Sequence, residues 1–349
     1  MTSPAERPPE ETRKLQMTGG ATYIISLPKN WIIQNQLAKG SALHIRSEED
    51  GSLTILPPEL GKPAKSDEVF VEISPKDNPD ETIRKIVSAY LVGYNVIHMK
   101  PRNGQKLSSR QRNAIKTFAR HLLVGTEIVT DTSAKLTLQV LLSYPELSIL
   151  SALRRMCIIT SSMHRDAMTA LKKLDHRLAK DVTTTDNEVD RFHLYIIRQL
   201  KMAIQNPRII KDIGLTNPRD CLGYRLITKT VERTADHAAN IARNILLLKK
   251  NIDDEVLDKI EQMSELAISS FEMAIESLFK RDFNMAETVI ARAKKISSLE
   301  KEAVLSSKET DMEDVVSLRL LIESVRRTAE YASDIAEIVL NLTVESVLE

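Results

Sequence analysis

The spacing of apolar residues changes twice along this chain, dividing it into three regions. From Arg13 to Leu56 the pattern is one of short strands with one helical turn between them. Thr22–Leu27 reads as a strand ending at Pro28, and Pro28 to Ile33 opens a brief helix at a first-turn proline. Gly40 breaks the chain before a strand at Ala42–Arg46, and Asp50-Gly51 predicts a hairpin turn into Leu53–Leu56. Pro57-Pro58 through Ser66 reads as a linker. From Glu68 to about Leu142 strands and helices alternate: Val69–Ile73, helix Pro79–Leu91, Asn95–Met99, helix Ser108–Leu122, then Glu127–Asp131 and Lys135–Leu141. That βαβαββ order predicts a small α+β domain. From Ser148 onward the period is helical, with helices expected at Ser148–Ala179, Asp186–Gln205, Arg219–Lys250, Asp254–Phe279, Phe283–Ser306 and Met312–Leu348. Thr183-Thr184-Thr185-Asp186 reads as a cap, Asn206-Pro207 as a stop and Asn217-Pro218 as a lead-in. Long helices joined this tightly pack antiparallel, because each apolar stripe must be covered by another.

The helical half contains a repeat. Val231-Glu232-Arg233-Thr234-Ala235-Asp236-His237-Ala238-Ala239-Asn240-Ile241-Ala242 overlays Val325-Arg326-Arg327-Thr328-Ala329-Glu330-Tyr331-Ala332-Ser333-Asp334-Ile335-Ala336. So dense a match predicts duplication, with six helices forming two three-helix bundles. The expected fold class is multidomain: a disordered arm (1–12), a small β domain (13–57), an α+β connector (68–142) and all-α tandem three-helix bundles (148–250 and 254–348).

Composition narrows the chemistry. The 349 residues carry a net charge of +1, so contact with nucleic acid must rest on a local basic patch. Aromatic residues make up only 4%, leaving little for base stacking. Cys157 and Cys221 lie in helical patterns without metal-type partners and read as buried thiols in a reducing compartment. With no signal-like opening and no apolar run near ~20 residues, a cytoplasmic protein without membrane insertion is expected.

Glu232 and Asp236 are one helical turn apart on one face, with Asn240 continuing the row. Like charges so placed repel by roughly 0.2–0.5 kcal/mol, a cost that a bridging cation offsets. The repeat offers Glu330 and Asp334 at the same spacing, with Glu323 seven residues before Glu330. Metal-ligand candidates are therefore Glu232, Asp236, Glu330 and Asp334, for Fe, Mn, Mg or Zn. The competing reading is a solvated acidic stripe neutralised by Arg233 and Arg327. His237 reads as a packing histidine, and His164 and Asp166, two apart, share no face.

On these residues the bundles resemble the PhoU family. Glu232-x-x-x-Asp236 followed by His237 and Asn240-Ile241 matches its E/DxxxD signature, whereas Arg326 stands in the place of the first acid in the second repeat. Asp282 followed by Ala286 resembles the family's turn between the first two helices of a repeat, with Asp181 as its counterpart. The resemblance implies metal clusters on this surface and regulation of phosphate uptake through a transporter ATPase or sensor kinase. Thr18-Gly19-Gly20-Ala21-Thr22-Tyr23-Ile24-Ile25-Ser26-Leu27-Pro28-Lys29, Leu37-Ala38-Lys39-Gly40 and Ala42-Leu43-His44-Ile45 resemble AbrB/MazE/SpoVT-type swapped-hairpin DNA-binding domains, with a longer stretch around Tyr23–Ser26. The combination resembles archaeal proteins carrying this fusion. Such a unit cannot bury Ile24, Leu27, Trp31, Ile33 and Leu43 alone, so a homodimer is expected. Two-fold pairing doubles Arg13, Lys14, Lys29 and Lys39 into a patch for duplex DNA, with Arg46 weaker beside Glu48, Glu49 and Asp50. The run Arg110, Arg112, Lys116 and Arg120 spaces cations along a helix, a pattern that offers a second backbone contact but is more often only a solvated face.

The favoured function is a homodimeric DNA-binding transcription regulator of phosphate homeostasis with a metal-binding helical sensor. The alternative is an adaptor that does not bind DNA and acts on a transporter or kinase. No enzyme is expected, and a carboxylate-bridged metalloenzyme is disfavoured by the lack of paired Glu-x-x-His.

Overall fold

The structure is a computed structural model. It describes residues 11–20, 22–47, 51–57, 67–74, 76–141, 147–206, 209–306 and 312–348. Most of the expected arm, Ala21, Asp50, the linker from Pro58 and Pro207 lie outside these residues. The chain divides into two compact units, residues 1–66 and 67–349.

The first unit contains two antiparallel hairpins flanking a helical turn. Strands β1 (Gln16–Thr18) and β2 (Thr22–Ile24) pair with Met17 opposite Tyr23, around Gly19 and Gly20 at φ 62° and 80°. Helix α1 (Lys29–Gln34) follows Pro28, and β3 (His44–Ser47) pairs with β4 (Leu53–Leu56). The regular strands are shorter than the alternation suggested. Met17, Tyr23, Ile24, Ile33, Ile45 and Leu53 are all exposed, so most of the apolar surface of this unit has no cover within the single chain.

The second unit opens with the α+β domain. Its four-stranded sheet has the order β5-β6-β8-β7, from β5 (Glu68–Ile73), β6 (Val96–Pro101), β7 (Thr126–Asp131) and β8 (Leu136–Val140). The β5–β6 pair is parallel and the others antiparallel. Helix α2 (Pro79–Val92) starts at an Asn78 cap and ends on Gly93 at φ 109°, a conformation that favours glycine. Helix α3 (Ser109–Leu122) carries a Ser108/Gln111 capping box. Ile73, Ile86, Tyr90, Ile97, Met99, Ile115, Leu136 and Leu138 form the core between helices and sheet. Two cations of the basic run on α3 are already paired, Arg112 and Lys116 reaching Asp131 at 2.7 and 2.8 Å.

Tandem bundles follow. The first contains α4 (Ile149–Lys173), α5 (His176–Gln205), a short α6 (Ile209–Asp212) and α7 (Asp220–Ile245). The second contains α8 (Asp254–Lys280), α9 (Phe283–Ala293), α10 (Ile296–Ser306) and α11 (Met312–Thr343). One continuous core of Leu, Ile, Val, Ala and Met spans both, with α7 packed on α11. Cys157 and Cys221 are free and buried there.

Two expected boundaries are corrected. The first bundle helix stops at Lys173, where Leu174 turns left-handed and the Asp175 carboxylate accepts from the amides of Arg177 and Leu178. Thr183, Thr184 and Thr185 do not cap a helix. They lie inside α5, their hydroxyls donating to the Lys180 and Asp181 carbonyls in the turn before. The counterpart of Asp282, whose carboxylate accepts from the Met285 amide after a left-handed Arg281, is consequently Asp175 and not Asp181. The expected Phe283–Ser306 helix is also divided, at Lys294-Lys295.

The α+β domain is anchored to α5 by one buried side chain. Arg198, 3% exposed, donates to the carbonyls of Tyr90, Tyr94 (3.0 Å) and Gly93 (3.2 Å) and to Asn95 Oδ1 (2.7 Å). These carbonyls lie at the C-terminal end of α2 and in the two residues that follow it, where a cation is favourable. Among the described residues no helix is long and apolar enough to cross a membrane.

Candidate metal centre

The site lies where α5 meets α7. Helical spacing places Asp186, Asp190 and His193 in a row on α5, at four- and three-residue steps. Glu232 and Asp236 form the opposing row on α7. One donor atom each from Asp190, His193 and Glu232 lie within 4.8 Å of one another. His193 Nδ1 stands 3.9 Å from Glu232 Oε1. Lys229, one turn before Glu232, donates to its carboxylate at 2.5 Å, and Arg243 reaches Asp186 at 3.5 Å. The two cations thus flank the cluster from either end.

The electrostatics show a shortage of positive charge. Burial, then the neighbouring Asp186 and Glu232, push Asp190 up to about 7. Burial and Asp236 push Asp186 up to about 6. Asp236 is raised by burial and by Glu232. His193 moves the other way, to about 4, through burial and then Lys229 and Arg225, so its imidazole is neutral near pH 7. A neutral imidazole beside carboxylates that cannot comfortably all ionise is a donor set for a divalent or trivalent cation. The mixed N/O chemistry suits Fe, Mn or Zn better than Mg, which prefers oxygen and water.

Of the residues expected from the sequence, Glu232 and Asp236 lie in this cluster. Asp186, Asp190 and His193 were not foreseen: Asp186 was read as part of a cap, and the acids that Asp190 and His193 face lie on another helix, α7, which a pattern within one helix does not show. Their row, Asp-x-x-x-Asp-x-x-His, is a signal that becomes legible once the helix is known to run through the threonines. Glu330 sits on α11, where both Arg326 and Arg327 donate to it. Asp334 is one turn further, raised by burial and by Glu337 and Glu330. His237 packs as expected, its ring 5.6 Å from that of Tyr331, its counterpart in the repeat. Arg13 pairs with Glu11, and Lys14, Lys29 and Lys39 are exposed on the hairpin unit. The Arg46 side chain lies outside the described residues.

A small β unit, an α+β domain and a duplicated helical bundle with carboxylates gathered at a helix–helix seam define a multidomain protein whose larger part is helical. Comparison with known proteins specifies the class. The PhoU domain profile matches residues 153–245 and 260–339, one copy per bundle. The profile for "antidote-toxin recognition MazE, bacterial antitoxin" matches residues 16–73. The chain belongs to the PhoU family and carries a MazE/AbrB-like domain at its N-terminal end.

Two curated relatives are each called a phosphate-specific transport system accessory protein PhoU homolog. The one from Clostridium acetobutylicum is 22% identical over 195 residues, covering 54% of this chain and 87% of the relative. The one from Borreliella burgdorferi is 24% identical over 187 residues, covering 50% and 81%. The crystal structure of PhoU from Pseudomonas aeruginosa superimposes with a TM-score of 0.50 at 19% identity, covering 56% of this chain and 96% of that one. This likeness concerns the fold of the bundles.

Proposed function

We propose that the protein is a homodimeric DNA-binding transcription regulator of phosphate uptake, in which metal occupancy of the first bundle sets DNA affinity. The observation that carries the metal role is the convergence of Asp190, His193 and Glu232 within 4.8 Å, among acids whose protons are held unusually tightly. The observation behind the DNA role is a hairpin unit whose apolar side chains are exposed in the single chain while it carries Lys14, Lys29 and Lys39 on its surface. Pairing with a second copy covers the apolar residues and doubles the cations. The relatives' association with phosphate-specific transport supplies the physiological setting. Asp190, His193 and Glu232 would hold the ion, with Asp186 and Asp236 beside them.

The mechanism is a population shift. Asp190 and His193, which would hold the ion, lie on the same helix as Arg198, five residues beyond His193, so a change in how α5 sits against α7 would reach the α+β domain through Arg198. The test is fluorescence anisotropy on duplexes from the protein's own upstream region, with Mn2+ or with chelator, across a salt series. Arg13→Ala and Lys14→Ala are each expected to weaken binding and to lower the salt slope by about 2 in the dimer, one phosphate per subunit. Affinity indifferent to salt and to both substitutions overturns the DNA role.

The relatives' names favour one other reading, an adaptor acting on a phosphate transporter ATPase or a sensor kinase. Capture of such a partner by a protein with no measurable DNA affinity selects it.

A further inference from the structure

The two bundles do not offer the same site. Overlaying the repeats places Glu232 on Arg326, Lys229 on Glu323 and Asp236 on Glu330. Aligning the caps Asp175 and Asp282 and carrying that offset forward across the Lys294-Lys295 break puts Asp186 on Ala293 and, on α10, Asp190 on Ser297 and His193 on Glu300. The second bundle has therefore lost the α5 carboxylates and gained a guanidinium where the first has a carboxylate.

The contacts follow the same inversion. In the first bundle Glu232 lies 3.9 Å from His193 across the seam and pairs with Lys229 one turn back. In the second, Arg326 Nε reaches Glu300 across the equivalent seam at 3.2 Å, and its other nitrogens reach Glu323 one turn back at 3.5 Å and Glu330 one turn on. One guanidinium holds three carboxylates from α10 and α11. Arg326 is 20% exposed and Glu300 31%, so the cluster is partly withdrawn from solvent. The planar fork of arginine suits this arrangement better than a point charge.

We infer that Arg326 is a built-in cation, occupying in the second bundle the electrostatic place that a metal ion takes in the first. This rests on the metal reading of Asp190, His193 and Glu232. The chain then binds metal asymmetrically. One seam, α5–α7, opens and closes with metal supply; the other, α10–α11, is held permanently by a covalently attached charge. A duplicated sensor with one fixed half responds at a single metal concentration, and its change of shape is confined to the half that carries the α+β domain. On this reading Glu330 serves the built-in cation, since it is already shared between Arg326 and Arg327.

The test uses the full chain, stripped with chelator and titrated with Mn2+ read by electron paramagnetic resonance, alongside Arg326→Glu, Arg326→Gln and both changes in a Glu232→Ala background. The unmodified protein is expected to hold about one Mn2+ per chain, and Arg326→Glu about two. Glu232→Ala removes the first and leaves the gained one. Hydrogen exchange supplies a second readout. Protection of α10 and α11 is expected to be the same with and without Mn2+ in the unmodified protein, to fall in metal-free Arg326→Gln, and to recover when Mn2+ is added. Should Arg326→Glu gain no ion, or should α10–α11 protection in the unmodified protein depend on Mn2+, the built-in cation is overturned. An unmodified protein without Mn2+ affinity strikes at the first-bundle site alone, because the gain and the rescue at position 326 are read independently.

Discussion

Acidification is expected to loosen the seam between the two bundles through His164. This side chain is fully buried where α4 packs on α8, its Nε2 2.8 Å from Ser264 Oγ and its Nδ1 without a partner. Burial, and then the charge of Arg165, hold its pKa down to about 4 from 6.5; Glu272 opposes this weakly, since its carboxylate is bound to Arg165. For a base whose folded pKa is depressed, the unfolded chain takes up the proton first. Its contribution to stability is full above about pH 6.5 and is lost as pH falls toward 4. Evaluating the linkage between pH 7 and pH 5 with these two values gives a loss of about 2 kcal/mol from this one group. Complete burial means that no reduction for solvent screening applies. The assay is the urea midpoint at pH 7, 6 and 5 for the unmodified protein and for His164→Phe, which copies Phe271, the residue that the repeat places at the equivalent position. Comparing the slopes cancels groups common to both proteins, His193 among them. The variant is expected to lose about 1–2 kcal/mol less on acidification. Parallel pH profiles refute the reasoning.

Two further outcomes follow from charge and burial. Asp190→Asn is expected to abolish Mn2+-induced stabilisation, which at a hundredfold excess over Kd is worth about 2.7 kcal/mol in the unmodified protein, while making the metal-free protein more stable at pH 8. The sign follows from the raised pKa: a carboxyl that keeps its proton to about 7 contributes most stability below the unfolded value and loses it as pH rises, and the amide removes that loss. Thermal melts at pH 6 and 8, with chelator or Mn2+, read both effects, and an Asn variant less stable than the unmodified protein in chelator at pH 8 contradicts the crowding of charge. Arg198→Met is expected to cost about 1–3 kcal/mol, because it withdraws the guanidinium donor from the Gly93 and Tyr94 carbonyls and from Asn95 at the end of α2. Hydrogen exchange localised to the end of α2 distinguishes this from a general loss of bundle stability, and unchanged exchange there removes the anchoring role.

Legibility from the sequence varied with the kind of signal. The duplication was visible because seven of twelve overlaid side chains recur in register, and the α+β order because its strands and helices are bounded by proline, glycine and a serine cap that the fold uses as such. The α4–α5 break was misplaced for a physical reason: threonine and aspartate favour caps, yet a helix tolerates threonines whose hydroxyls bond back to the preceding turn. The true break depends on Leu174 adopting a left-handed conformation, which leucine composition does not announce. That boundary made Asp186 a cap, whereas Asp190 and His193 already lay inside the expected helix. The acids on α7 were legible as a pair within one helix; their partners belong to another helix, and only packing brings the two rows together.

The same limit explains why the second bundle could be read as a weaker copy of the first. Within α11 alone, Glu330-x-x-x-Asp334 restores the spacing of two acids and looks like a shifted ligand pair. Arg326 then reads as erosion of a motif. Across the seam the meaning reverses, because Glu300 approaches from α10 and finds a guanidinium in the place of the carboxylate that faces His193 in the first bundle. Three acids gathered around a fixed cation need no ion from solution, whereas four acids and a neutral imidazole flanked by Lys229 and Arg243 retain carboxyls that hold their protons up to about 6 and 7. On this reading Arg326, with Ala293 and Ser297 in the places of Asp186 and Asp190, makes the second seam a structural joint and leaves the first to respond.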